Sequence, residues 1–275
     1  MSVSASLPMY ALPEMAAANA ALWDALREGL GEEQRAAVLP ETLRPAGLAL
    51  PAAIDRGTLF TQMCGYPLKT LYAGQYQMLG TPLYDLPGCR LRPDGVPTHC
   101  SFLVVRAEAP FWTLEQLRGA RFAINGRDSN SGMNLPRRLF APWAQEGRFF
   151  ADVLVSGSHA ASMEMVGSGA ADAAAIDCVT FGFATRFRPA LTERLRVLAE
   201  TPASPGIPFV TSVATSPATA RRLTALLTGP FPPLALQAAL EGLAIHRVAP
   251  PHPAAYDAVL AYEAEAAAMG YPELV

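Results

Sequence analysis

Residues 120–143 constrain the fold more than any other stretch. Ala120-Arg121-Phe122-Ala123-Ile124 is an apolar run that reads as a buried strand, and residues 125–134 are rich in Ser, Asn and Gly. Leu135, Leu139, Phe140 and Trp143 then recur at helical spacing. Strand, polar turn and helix in that order is how α/β proteins build anion sites, because the first amides of a helix lack internal partners and its dipole is positive there. Ser129 and Ser131 can add hydroxyl donors, and Gly132 lets the backbone approach a ligand. Ser, Asp and Asn are also the usual helix caps, so the same cluster reads equally as an N-cap with no ligand.

The rest of the chain repeats this alternation. Strands are predicted at Val3 to Leu7, Gly57 to Thr61, Tyr76 to Gly80, His99 to Val105, Phe149 to Val155, within Gly169 to Asp177 after an opening turn, at Leu195 to Glu200 and, as a return strand, Phe209 to Ala214. Helices are predicted from Pro13 to Leu30, where Met15, Ala18, Leu22 and Leu26 form one stripe, from Ala160 to Ser168, and through most of the tail after Ser216. Residues 39–54 are Pro-rich and resist assignment, and Thr81 to Pro97, with four prolines, reads as loop. Such alternation implies parallel sheets flanked by helices, with ligands outside the carboxyl ends of the strands. Five strand ends finish in small or polar clusters: Tyr10, Cys64-Gly65-Tyr66, Ser129 to Met133, Ser158-His159 and Asp177.

Composition narrows the function classes. At 275 residues, two lobes of ordinary domain size are expected. Hydrophobic residues make 51% and charged ones 16%, which suits a well-buried chain, and a net charge of −3 offers no footprint for nucleic acid. No apolar run is long enough to span a bilayer. Cys64, Cys89, Cys100 and Cys178 lack C-x-x-C spacing and read as mostly buried free thiols. His99, His246 and His252 have no partners at metal spacing, and no metalloprotease, Walker, nucleophile-elbow or dinucleotide fingerprint occurs, so neither metal, cofactor nor catalytic set is expected.

With Phe60-Thr61-Gln62-Met63-Cys64-Gly65-Tyr66-Pro67, Gly126 to Gly132, Gly157-Ser158-His159, Gly169 to Asp177, and Leu195 to Leu198 with Pro205 to Pro208 in view, the chain resembles the PhnD-like, phosphonate/phosphate-type solute-binding proteins of ABC transporters. The resemblance implies the type II periplasmic binding protein fold: two Rossmann-like α/β lobes with mixed, mostly parallel sheets, joined by two crossover strands. It places 1–106 and 207–275 in lobe 1, 107–206 in lobe 2, and the ligand in the cleft. By position, Ser129, Asn130, Ser131, Gly132 and Met133 match the family's anion-gripping turn. Tyr10, Cys64, Gly65 and Tyr66 match the first lobe's contribution, and His159 and Asp177 that of the second; Ser158, at its strand end, is a further ligand candidate.

The implied partners are a small anionic or zwitterionic ligand and an ABC permease, with the chain a monomer or weak dimer. The family normally carries an export signal. Met1 to Leu7 shows no basic leader or apolar core, so the chain as written reads as cytoplasmic, and as periplasmic if a leader was removed. A cytoplasmic enzyme or a ligand sensor on the same fold, similar to the menaquinone-pathway enzymes, therefore stays open beside the binding protein. Asp177 is also double-edged. Ionised in a low-dielectric cleft it repels a dianion and selects protonated oxyanions or zwitterionic aminophosphonates, or else it caps the helix that starts at Cys178.

Overall fold

The computed structural model describes residues 3–31, 39–45 and 50–275; residues 1–2 of the N-terminal reading and part of the Pro-rich stretch lie outside them. In chain order the strands are β1 (Ser4–Ala5), β2 (Thr58–Gln62), β3 (Tyr76–Tyr84), β4 (Arg90–Leu91), β5 (Pro97–His99), β6 (Ser101–Arg106), β7 (Arg121–Ile124), β8 (Asp152–Val155), β9 (Ala173–Asp177), β10 (Leu195–Glu200), β11 (Ser204–Pro205), β12 (Phe209–Ser212) and β13 (Ile245–Ala249). The chain divides into two compact α/β units, one of Met1–Asp85, Leu91–Pro97 and Gly206–Ala255, the other of Leu86–Arg90, Thr98–Pro205 and Tyr256–Val275.

The first unit is built on the sheet β1-β2-β12-β3-β13. β1 and β2 are parallel, while β12 is inserted antiparallel between β2 and β3, as a return strand must be. Pro13 sets the entry to the helix Ala16–Leu30, and Gly31, at φ 78°, ends it. Its stripe of Leu22, Trp23, Leu26 and Leu30 is buried. Trp23 stacks on Phe60 of β2 with ring centroids 6.0 Å apart, and Phe60 in turn stacks on Phe209 of β12 at 5.1 Å. Burying such a run of apolar surface is what offsets the entropy of ordering the helix.

The second unit is built on β10-β6-β9-β7-β8. β7, β8 and β9 are parallel to one another, and β6 runs antiparallel between β9 and β10. Phe122, Phe140, Phe149 and Phe150 form its aromatic core, with Phe122 stacked on Phe150 at 4.5 Å.

Three differences from the sequence reading have physical causes. Residues 98–106 and 256–275, assigned there to the first lobe, pack with the second unit. β6 is an internal strand of the second sheet, and the helix Asp257–Ala268 is tied down by Asn134 Nδ2 donating to the Val259 carbonyl at 2.9 Å and by Arg137 facing Glu263 at 3.3 Å. Next, the stretch read as loop after Gly80 remains strand to Tyr84, because β13 pairs along it with Val248 opposite Pro82. β13 was itself unread, since the exposed His246 and Arg247 interrupt its apolar pattern. Third, antiparallel neighbours are more frequent than alternation alone implies, because β12, β13 and β6 all return against their sheets.

Leu22 is fully buried, so Leu22→Ala is expected to cost about 2–5 kcal/mol in urea unfolding. Leu71→Ala, at a position 61% exposed, should shift the midpoint by less than about 0.5 kcal/mol. Equal effects from the two would refute this account of the core.

Candidate functional site

In the second unit, the parallel strands β7, β8 and β9 all end at one edge of the sheet, and Ser101 opens the antiparallel β6 opposite Asp177. The polar turns therefore meet there by topology. Ser129, in extended conformation, accepts a hydrogen bond from Gly132 N at 2.9 Å and so caps a widened turn, Asn130–Asn134, that leads into the helix Leu135–Phe140. A side chain at 132 would collide with the Asn125 Oδ1 oxygen, which is why glycine stands there; that oxygen is buried and has no hydrogen-bond partner among the described residues.

The turn is wired to three other segments. Ser131 Oγ lies 2.8 Å from His159 Nε2, and the Ser131 carbonyl accepts from Ser101 Oγ at 2.9 Å. Asn130 donates through Nδ2 to Ser204 Oγ at 2.8 Å and accepts from Asn134 Nδ2 at 3.0 Å. Ser158 caps the helix His159–Ser168, accepting from Ala161 N at 3.1 Å. Ser129, Asn130 and Ser131 are buried, so these bonds are needed to satisfy them, and Met133 is buried beside them as an apolar side chain.

Asp177 takes the capping role of its two alternatives. Its Oδ1 accepts from Val179 N at 2.9 Å and Thr180 N at 3.1 Å, and its Oδ2 lies 2.7 Å from His99 Nδ1. At 1% exposure its carboxylate is engaged by these three partners. Burial pushes its pKa up, but the charge and hydrogen bond of His99, His159 and the Thr180 amide outweigh that and hold it below the usual value. His99 is a buried structural partner of Asp177. Nothing in the sequence links residues 78 positions apart; only the β6–β9 pairing does.

His159 is held neutral. Burial lowers its pKa from 6.5 to about 4, with Asp177 and the Ala175 backbone opposing and His99 reinforcing the shift. At neutral pH the cluster therefore presents hydroxyls, amides and an uncharged imidazole. Among the described residues no group of three or more His, Cys, Asp or Glu side chains is placed to hold a metal ion.

The first-unit candidates stand at the corresponding edge of their own sheet. Tyr10 packs edge-on against Tyr84 with centroids 5.3 Å apart, and Gln62 Nε2 donates to the Tyr84 hydroxyl at 3.0 Å and the Ile207 carbonyl at 3.2 Å. Cys64 precedes the short helix Gly65–Lys69, its carbonyl accepting from Leu68 N at 3.1 Å, and the Tyr66 carbonyl accepts from Thr70 Oγ1 at 2.7 Å. Sequence reasoning missed Gln62, Tyr84 and Ser101, although the polar Gln62 closing a buried strand was a usable signal.

Over residues 76–256 the sequence matches the family described as ABC transporter, phosphonate, periplasmic substrate-binding protein. The chain belongs to that family. Membership implies a small ligand and an ABC transporter permease as partners. No curated protein matches the sequence. Among solved structures, the fold is similar to a binding protein component of an ABC phosphonate transporter from Pseudomonas aeruginosa, with TM-score 0.72, 14% identity, and 97% of this chain and 87% of that one covered. It is similar also to PhnD1 from Prochlorococcus marinus in complex with methylphosphonate, at TM-score 0.71 and 15% identity over 96% and 97% of the two chains. XAC2383 from Xanthomonas citri, bound to chloride ion, gives TM-score 0.67 and 16% identity over 98% and 99%. These likenesses show the type II periplasmic binding protein fold. Among the described residues no helix is long and apolar enough to cross a membrane.

Two outcomes follow for this substrate-binding protein. Asp177→Ala strips a helix cap and leaves His99 without its partner, so it should cost about 3–5 kcal/mol of stability. Asp177→Asn keeps a carbonyl oxygen for the two amides and should cost markedly less; equal losses in urea unfolding would show that capping is not what Asp177 does. His159 binds its proton at about 4 when folded but near 6.5 when unfolded, so between those values the unfolded chain holds more protons. Stability should therefore fall as pH drops from 6.5 towards 4, and His159→Gln should flatten that fall by roughly 1–3 kcal/mol. Parallel pH profiles for the two proteins would overturn the assignment.

Proposed function

We propose that this protein captures a small tetrahedral oxyanion of the phosphonate, phosphate or phosphite type for ABC-type uptake, and that the turn Ser129–Met133 is its principal anion contact. What carries the reading is the bond from Ser131 Oγ to His159 Nε2, which joins two polar turns at the carboxyl edge of parallel strands. That edge is where α/β proteins hold anions, on the first amides of the helix and on hydroxyl donors. The neutral His159 adds no charge of its own, so such a ligand is recognised by hydrogen bonds from uncharged donors. Ser129, Asn130 and Gly132 shape the turn, Met133 gives it an apolar flank, and Ser158 holds His159 at the start of its helix. Within the first unit we assign Tyr10, Cys64, Gly65 and Tyr66 to the ligand-facing edge. Asp177 is left out of the ligand set and kept as the support beneath it.

The test is calorimetry and thermal shift with methylphosphonate, phosphate, phosphite, sulfate and small carboxylates. At least one phosphorus oxyanion should bind, and Ser131→Ala should weaken it by roughly 1–3 kcal/mol, the worth of a hydrogen bond to a charged group. The variant should fold, since the substitution removes a hydroxyl and no core volume. Normal binding in a variant that melts much lower would make Ser131 a scaffold residue only. Binding of carboxylates alone would refute the ligand class.

A further inference from the structure

Three of the four cysteines gather in one place in the second unit. Cys89 Sγ and Cys178 Sγ are 3.6 Å apart, and Cys178 N donates to the Cys100 carbonyl at 3.1 Å. The close approach is prepared by the backbone. Gly88 adopts φ +86°, and a Cβ there would lie 2.7 Å from Cys178 Cβ and 2.9 Å from Cys100 Sγ, so only glycine lets this turn sit on the two thiols. Cys89 N closes the turn onto the Leu86 carbonyl at 3.1 Å, and Leu86 lies against Gly182 of the helix Cys178–Phe187. Arg90 then pairs with Glu200 at 2.9 Å. The segment Leu86–Arg90 is a short excursion that packs with the second unit while its flanks belong to the first.

The cluster is unequal in access. Cys100 and Cys178 are fully buried, whereas Cys89 is partly exposed. We propose that Cys89 and Cys178 are a redox-modification site: a small disulfide oxidant reacts first at Cys89, and the pair closes to an intramolecular disulfide that fastens Leu86–Arg90 to the start of the helix Cys178–Phe187. Sulfurs in van der Waals contact need only a small change of side-chain torsion to reach bonding distance.

The chemistry is thiol–disulfide exchange. Cys89 gives its proton to solvent, and its thiolate attacks one sulfur of the oxidant, expelling the other as thiolate. Cys178, deprotonated in turn, attacks Cys89 Sγ and expels the second oxidant thiolate. One protein S–S bond replaces two protein S–H bonds, and two electrons pass to the oxidant, whose S–S bond becomes two thiols. Cys178 is the slower partner. Its hydrogen bond with Cys100 lowers its pKa, but that with Cys89, burial and the Asp177 charge raise it well above the ordinary thiol value. Closure is therefore expected to quicken as pH rises.

The experiment treats the purified full chain with oxidised glutathione, unfolds it in the presence of an alkylating agent, and maps the peptides by mass. The expected result is two of the four thiols lost to a Cys89–Cys178 link, with Cys64 and Cys100 alkylated. Cys89→Ser should abolish the link and Cys100→Ser should preserve it, so that failure of a Cys178 variant to fold leaves the question decidable. The oxidised protein should melt no lower than the reduced one. A Cys100–Cys178 link, glutathione retained on Cys89 without closure, four alkylated thiols, a link between chains, or a lower melting temperature after oxidation would each overturn the proposal.

Discussion

A carboxylate buried to 1% exposure survives only if each of its oxygens is hydrogen-bonded, and the second unit is arranged around meeting that demand at Asp177. β9 delivers the residue to the sheet edge, the helix Cys178–Phe187 offers two amides and the positive end of its dipole, and His99 supplies the third partner. His99 and Ser101 stand on either side of Cys100, so fixing His99 also fixes the start of β6. Ser101 is held from the other side by Thr201, whose Oγ1 accepts from Ser101 N at 2.9 Å. From there Ser101 Oγ reaches the Ser131 carbonyl. The carboxylate thus positions the candidate turn through a chain of bonds without touching it.

A second buried network holds the turn from behind. Asn130 and Asn134 are linked to each other, Asn134 accepts from Arg137 Nη2 at 2.6 Å, and Arg137 is balanced by Glu263 and the Pro272 carbonyl. Arg137 is 4% exposed, so its charge is committed to the C-terminal helix and chain end. This is why that helix belongs with the second unit. It also explains why a cation so near the turn in sequence leaves the turn itself to neutral donors.

Much of this was legible in the sequence wherever a local rule operates. Ile124 to Leu135 reads as strand, capped turn and helix because Ser129 and Gly132 are the residue types that such a turn needs, and the stripe of Leu22 and Leu26 gives the first helix away. The cap at Asp177 was legible only as one of two alternatives, beside a ligand-selecting role. What escaped depends on pairing between distant segments. No pattern in His99 or Ser101 shows that β6 will lie antiparallel to β9, and none shows that Arg137 and Glu263, 126 positions apart, will meet and tie the C-terminal helix to the second unit. The strand Ile245–Ala249 was lost to its exposed His246 and Arg247, which look like loop residues until an edge position accounts for them.

The neutrality of His159 bears on how an oxyanion is recognised. An uncharged imidazole carries one proton, and its tautomer decides the direction of the bond to Ser131. With the proton on Nδ1, Nε2 accepts and the Ser131 hydrogen is committed to it. With the proton on Nε2, Ser131 accepts from His159 and its own hydrogen is free to point at a ligand oxygen. On the proposed reading, an arriving oxyanion gains a donor from Ser131 only in the second arrangement, so it must draw the ring proton onto Nε2 and away from the Ala175 backbone. A lysine or arginine in the same place would attract every anion in proportion to its charge. A hydroxyl oriented by a neutral histidine responds instead to where the acceptor oxygens lie, so on the proposed reading geometry rather than charge is the basis of selection at this turn.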